Sequence, residues 1–525
     1  CGIVLLGFPL TISGRPDHGN PVWLKPSDMR GHFAVFGTTG TGKTWTSVCI
    51  VAQLIYIGVK PIIIVPHKVR DWRLLRSLFP DIRIFTAGDP GTVPLLLNFW
   101  EPPEGVSLVK WIERLSDVFH AWLPNEDVIT MHFRLILQRV YQICKWDVNS
   151  NKRGRPILLS DLYDAIEYYI ENDLKYGDEV SKNFAGALRT RMKAILMNPE
   201  FVRMFNTKGG VTFRELLEHP TIIEIEGLGD LHAELLMGIL TRGISEYRMA
   251  NPANSIENVL ILEEAHTLLK KVARRTDGRQ SATEQAMDSI IRMLRVIGGN
   301  GLGLLLIDQL PGLLVEEALT IPKNVIIHKV RHEEVDLATS LTRCDESQKV
   351  HIGGLETGEA IVLLDRHDSP LNVQIFSLSE ILVASPYEQR WPHARVAEMM
   401  KSYFEREPER FISEKLPEHI LKTLKLHESK LAFTPDNETI YALEKLVRDP
   451  EFERVFRIAV DRAKDGKLQY LVRLAVETAK LAQRGDEALL PLAVKVIQLA
   501  AGENNKPIDG ALLSEVDNEL ERATA

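Results

Sequence analysis

At 525 residues the chain is too long for one ordinary hydrophobic core, and two or three domains are expected. Its 45% hydrophobic and 26% charged residues are the composition of a soluble globular protein, and no apolar run reaches the length of a membrane span. The formal net charge of -8 excludes a surface that attracts polyanions as a whole, so any contact with nucleic acid has to be local, in a groove or a pore.

Residues 1–30 read as strand, Gly/Pro turn and strand, an N-terminal β segment that ends a truncated β-barrel or joins the core as strands. The apolar stretch at 3–12 is short, contains Gly7 and Pro9, and lacks the basic leader of a signal peptide. The chain starts at Cys1 rather than Met, and the natural protein is expected to begin upstream. Four cysteines, Cys1, Cys49, Cys144 and Cys344, stand far apart without metal-ligand spacing; they read as reduced thiols, and a cytoplasmic location is expected.

Next comes Gly31-His32-Phe33-Ala34-Val35-Phe36, a short apolar strand that runs into Gly37-Thr38-Thr39-Gly40-Thr41-Gly42-Lys43-Thr44. This matches G-x-x-x-x-G-K-[ST], a loop whose glycines let backbone N–H groups turn inward around the β-phosphate of ATP. Lys43 would neutralise β/γ oxygens, the Thr44 hydroxyl would ligate Mg²⁺, and Trp45 immediately follows among the nucleotide-binding residues. Residues 44–57 have helical spacing, and Lys60-Pro61-Ile62-Ile63-Ile64-Val65 is a second buried strand closed by Pro66. Strand, loop, helix, strand opens an α/β sandwich with a parallel sheet.

Residues 107–200 are mostly helical in pattern, broken by the polar loop 149–155, and read as an insertion. Buried strands then recur at 221–225, 259–262, 304–307 and 325–327, which complete a doubly wound sheet within a core at 31–384. The third of these continues a motif of its own. Ile307-Asp308-Gln309-Leu310-Pro311 places a polar amide, Gln309, where it can sense the γ-phosphate or position water. The second ends in Glu263-Glu264-Ala265-His266, so one carboxylate, Glu263, can reach the Mg²⁺ shell while Glu264 stands near the attacking water as base. Shortly after it, Lys270, Lys271, Arg274, Arg275 and Arg279 form a segment with five basic residues against one acidic, suited to sequence-independent phosphate contact with DNA. A weaker basic loop, Lys152, Arg153 and Arg155, reads as surface. Residues 359–363 and 371–376 resemble a final antiparallel pair, and 394–525 read as a separate C-terminal helical domain without a fixed repeat.

Over about residues 20–376 these motifs resemble the HerA/FtsK superfamily of hexameric DNA-pumping ATPases, and within it the HerA-like branch. The resemblance rests on 32–44, on Glu264-Ala265-His266, on Gly301-Leu302-Gly303-Leu304 leading to Gln309 and Pro311, on Gly358-Glu359-Ala360-Ile361-Val362, and on 98–105 with Pro102 and Pro103. It implies a RecA-like fold, a homo-oligomeric hexameric ring, ATP and Mg²⁺ between subunits, an arginine finger from the neighbour, and double-stranded DNA in the central channel. Relatives of this type act with a partner nuclease, NurA in end resection, or with an effector in anti-phage defence.

Three features depart from the family pattern. Glu263 stands where Asp is usual, Val65 where an acidic residue is usual, and Gly298-Gly299 where an Arg-Lys pair is frequent. Arg295 and Arg331 are then the arginine-finger candidates. The leading function is an ATP-driven double-stranded DNA translocase. A conjugation or type IV secretion ATPase shares these motifs, and a ring scaffold that binds ATP and organises an effector is the non-enzyme reading.

Overall fold

Runs of Val, Ile and Leu too short for helices become strands, and eleven strands join in one mixed sheet. The computed structural model describes residues 3–67, 69–87, 93–122, 127–174, 178–271, 282–378 and 393–423. In chain order the strands are β1 (Val4–Pro9), β2 (Val22–Leu24), β3 (Phe33–Phe36), β4 (Lys60–Val65), β5 (Arg83–Thr86) and β6 (Thr221–Glu224). They continue with β7 (Asn258–Glu263), β8 (Leu302–Asp308), β9 (Asn324–Ile327), β10 (Glu359–Leu363) and β11 (Leu371–Ile375). Across the sheet the order is β2-β1-β11-β10-β9-β3-β8-β7-β4-β6-β5.

Pairings from β9 through β5 are parallel, and those from β9 out to β2 are antiparallel. Strands β3, β6, β7, β8 and β9 are buried at every position, so both faces of the sheet are covered. This is the mostly parallel α/β fold that the strand and helix pattern implies. Strand β5 was not anticipated: four residues that begin with Arg83 carry little pattern of their own, and its neighbour β6 is what makes it a strand.

Strands β1 and β2 lie in the same sheet as the glycine-loop strand. β1 pairs β11 and β2 pairs β1, which extends the antiparallel edge. Helix α1 (Lys43–Tyr56) holds β1 from one side, because the Gln53 amide accepts from Leu5 N at 2.8 Å and donates to Leu5 O at 3.0 Å. Between β5 and β6 lies the helical insertion, with helices at Leu108–Trp122, Asp127–Ile143, Leu159–Asn172, Asp178–Leu196, Pro199–Phe205 and Phe213–Glu218. Phe99, Trp100, Phe119 and Phe205 pack together at its base, ring centroids 4.3 to 6.5 Å apart.

The C-terminal region needs a correction. Its described part, 393–423, is not separate from the core. The helix His393–Glu405 packs on edge strand β5, with the Tyr403 ring 5.7 Å from that of Phe85 and the Arg83 guanidinium 4.7 Å from the Tyr403 ring. Beyond it Ser413 bridges to Thr207, Thr207 Oγ1 donates to Ile412 O at 2.8 Å, and Arg410 pairs with Glu215 at 2.7 Å. These contacts hold 393–423 against the β5 side of the core. Residues 424–525 lie outside the described residues.

Candidate nucleotide site

In a parallel sheet the carboxyl ends of adjacent strands lie side by side, and register decides which side chains meet there. Phe36 of β3 pairs with Asp308 of β8 and Ile327 of β9, while Glu263 of β7 pairs with Ile307. The glycine loop after β3 therefore opens beside the acidic end of β8, with the acidic end of β7 one strand further. Gly42, at φ 100°, turns the loop into α1, a left-handed conformation that side-chain-bearing residues rarely adopt. Gly37 gives room: a Cβ there would lie 2.7 Å from the Cβ of His328.

Lys43 and Thr44 begin α1 and are both buried. The Thr44 hydroxyl donates to Glu263 Oε1 at 3.1 Å. The indole N–H of Trp72, from the short helix α2 (Val69–Arg73), donates to Glu263 Oε2 at 2.8 Å. Burial pushes the Glu263 carboxyl up to about 7, against the hydrogen bonds from Trp72 and Thr44 that pull it down.

Glu264 is buried and holds φ 49°, unusual for a residue with a side chain. Its Oε1 accepts from Gln309 Nε2 at 2.6 Å and lies 3.8 Å from Lys43 Nζ. Gln309 Oε1 in turn accepts from the Thr39 hydroxyl at 2.7 Å, so a hydrogen-bonded chain links the phosphate loop to Glu264. Glu264 Oε2 is buried and has no hydrogen-bond partner among the described residues. His266 Nδ1 stands 3.7 Å from it.

Sequence reasoning gave no role to several residues that the fold brings here. Asp308, fully buried, accepts from His266 N at 2.8 Å and from His266 Nδ1 at 2.9 Å. This hydrogen bond raises the His266 pKa above its ordinary value despite partial burial. His328 immediately follows β9, behind the loop. Its Nδ1 lies 2.8 Å from Glu359 O, a group that only accepts, so Nδ1 carries the proton and Nε2 accepts from the Thr46 hydroxyl at 2.9 Å. Burial holds His328 down to about 4. The signal available for Asp308 was its place at the end of a buried strand beside the glycine loop. Trp72 carried none, since its partner is 191 positions away.

Beside these groups is a cavity of ≈ 520 Å³ lined by Thr38, Thr39, Gly40, Gly42, Lys43, Thr44, Trp45, Asp71, Gly358 and Phe376. Its size falls in the range of roughly 300–1,000 Å³ usual for small-molecule sites. Thr41, buried, closes the loop by donating to Thr38 O at 2.8 Å. A larger cleft of ≈ 880 Å³ runs between 98–108 and 209–214. It shares no lining residue with the glycine loop, and its Arg153, Arg214 and Arg410 are paired with carboxylates. The smaller cavity is the one that adjoins the glycine loop.

Other predicted residues fall elsewhere. Arg331 is exposed, just past the carboxyl end of β9. Arg295 precedes β8, at the opposite end of that strand from Asp308, and donates to Thr320 Oγ1 at 2.8 Å. Lys270 pairs with Glu234 and Lys271 N donates to Leu313 O at 3.1 Å, while both residues stay exposed. Arg274, Arg275 and Arg279 lie outside the described residues. Arg153 and Arg155 pair with Glu101 and Asp161.

A glycine loop between β3 and α1, level with two acidic strand ends, is the arrangement of the RecA-like P-loop fold. Residues 12–244 match the family model described as helicase HerA, central domain. The DNA double-strand break repair helicase HerA of Sulfolobus acidocaldarius is 22% identical over 400 residues, 73% of this chain and 72% of that protein. Among solved structures, VirB4 of Thermoanaerobacter pseudethanolicus is similar at TM-score 0.54 and 15% identity, over 73% of this chain and 97% of that one. The plasmid coupling protein TrwB in complex with ADP and Mg²⁺ gives TM-score 0.49 and 16% identity, over 70% and 89%. Over these residues the chain is similar to HerA-type P-loop ATPases. Among the described residues no helix is long and apolar enough to cross a membrane.

Proposed function

We propose that the chain is an ATP-driven translocase of double-stranded DNA of the HerA type, which works in the cytoplasm as a hexameric ring beside a partner nuclease or defence effector. The observation that carries this reading is the cluster at the strand ends: Lys43 and Gln309 both face Glu264 Oε1, and Glu264 Oε2 is left open. The HerA relative, itself a DNA double-strand break repair helicase, supports the choice of DNA as the track.

Each residue has a task. Backbone N–H groups of the loop and Lys43 would bind the phosphates of ATP. Glu264, its orientation fixed by Gln309, would accept a proton from the attacking water through Oε2. Thr39 couples occupancy of the loop to Gln309, and so to the alignment of Glu264. Thr44 and Glu263 offer hard oxygen donors within 3.1 Å of each other, a set that fits Mg²⁺. When bound, Mg²⁺ supplies charge neutralisation at the phosphates. Arg331 is the preferred arginine finger, because it is exposed just past the carboxyl end of β9, the end of the sheet that carries the glycine loop.

The test separates binding from turnover. Glu264→Gln should retain ATP binding and lose turnover by about 10²- to 10⁴-fold, the range for a general base. Lys43→Ala should lose binding as well. Full turnover in Glu264→Gln would refute the assignment of the base.

A further inference from the structure

Glu263 is 1% exposed, and its two oxygens are each satisfied by one donor: Thr44 on Oε1, Trp72 on Oε2. The donor on Oε2 is itself locked. Trp72 is wholly buried, and the residue after it, Arg73, makes hydrogen bonds of 2.5 and 2.6 Å to Glu224, which also accepts from Thr86 at 2.9 Å. On its other side Asp71 lines the nucleotide cavity. Helix α2 is thus held between the end of β6 and the site, with its indole N–H aimed at the end of β7.

A buried indole needs a hydrogen-bond partner, and a packing role alone would be met by any acceptor. Here the acceptor is the carboxylate that also faces Thr44. Fixing one oxygen of a carboxylate fixes the plane and direction of the other. The extra methylene of Glu263 relative to Asp is what allows both contacts at once. From the same backbone position a shorter acid would draw back by about one C–C bond, about 1.5 Å, and would lose Trp72 or Thr44.

We propose that Trp72 is a positioning residue that clamps Oε2 of Glu263, keeps Oε1 on Thr44, and thereby sets the Mg²⁺ affinity of the nucleotide site. The proposal rests on the ATP-binding reading above. Trp72 and Glu263 act as one unit, so replacement of Glu263 by Asp weakens the site although charge and residue class are preserved.

The test uses the full chain and equilibrium binding of a fluorescent ATP analogue, titrated with Mg²⁺ and repeated in EDTA. Trp72→Phe keeps the ring and removes the donor. It should raise the Mg²⁺ concentration for half-saturation by about 10- to 100-fold, the usual effect of losing a residue that orients a metal ligand, with binding in EDTA unchanged. Glu263→Asp should shift it in the same direction, and in the Trp72→Phe background it should add little. A lowered melting temperature with unchanged Mg²⁺ dependence in Trp72→Phe would reduce Trp72 to packing and overturn the proposal. Should Trp72→Phe not fold, Glu263→Asp decides alone: an unchanged Mg²⁺ midpoint overturns it. Wild-type protein that binds no nucleotide with or without Mg²⁺ would sink the functional reading itself, a different outcome from either of these.

Discussion

Asp308 is fully buried, and its partner His266 is half-buried at the mouth of the site. The pair has a consequence for pH. Because the hydrogen bond to Asp308 raises the folded-state pKa of His266 above 6.5, the folded state binds its proton more tightly than the unfolded chain. The stability this contributes is complete below pH 6.5 and is lost as pH rises through the raised folded value. Comparison of thermal unfolding of wild type and Asp308→Asn across pH 5 to 9 should show the gap widest at the acid end, narrowing as pH rises. A gap independent of pH would mean that the Asp308–His266 bond does not depend on the imidazolium. Residues such as these were hard to read from the chain. Lys43, Thr44 and Glu264 stand in dense local patterns, whereas Asp308 and Trp72 act through contacts across the sheet, Trp72 with a partner 191 positions away. His266 was visible beside Glu264, but its use depends on Asp308, which lies 42 positions on.

Elements show a similar division. Strands β3, β4, β7, β8 and β9 are apolar runs bounded by turns, and they were legible because burial on both faces demands continuous Val, Ile and Leu. Strand β5 and the packing of 393–423 onto it were not, since both depend on a neighbour that local pattern does not encode. Strands β1 and β2 were legible as strands but not by position. Their place at the sheet edge depends on long-range pairing with β11 and on Gln53 of α1. Gln53→Ala should leave Leu5 N without its side-chain acceptor and cost about 1–3 kcal/mol, the usual penalty for an orphaned part-buried group. Denaturant unfolding measures this. A loss well below 1 kcal/mol would mean that β1 is held by sheet pairing alone.

For the whole molecule, the net charge of -8 requires any DNA contact to be local. Lys270 is already paired with Glu234, so the phosphate contact expected of the 270–279 segment falls mainly on Lys271, Arg274, Arg275 and Arg279. Each phosphate contact removed should lower the slope of log affinity against log salt by about one. Neutralising Lys270, Lys271, Arg274 and Arg275 together should flatten that slope, with Lys270 accounting for the least of the change. Filter or anisotropy binding over a salt series reads it directly, and an unchanged slope would remove this segment from the DNA path.

A motor of the proposed kind joins the glycine loop, Glu264 and DNA. Its most direct measurement is steady-state ATP turnover with and without duplex DNA, in wild type and in Glu264→Gln. Turnover should rise on addition of duplex and disappear in the variant. Turnover indifferent to duplex, or equal in the two proteins, would contradict it.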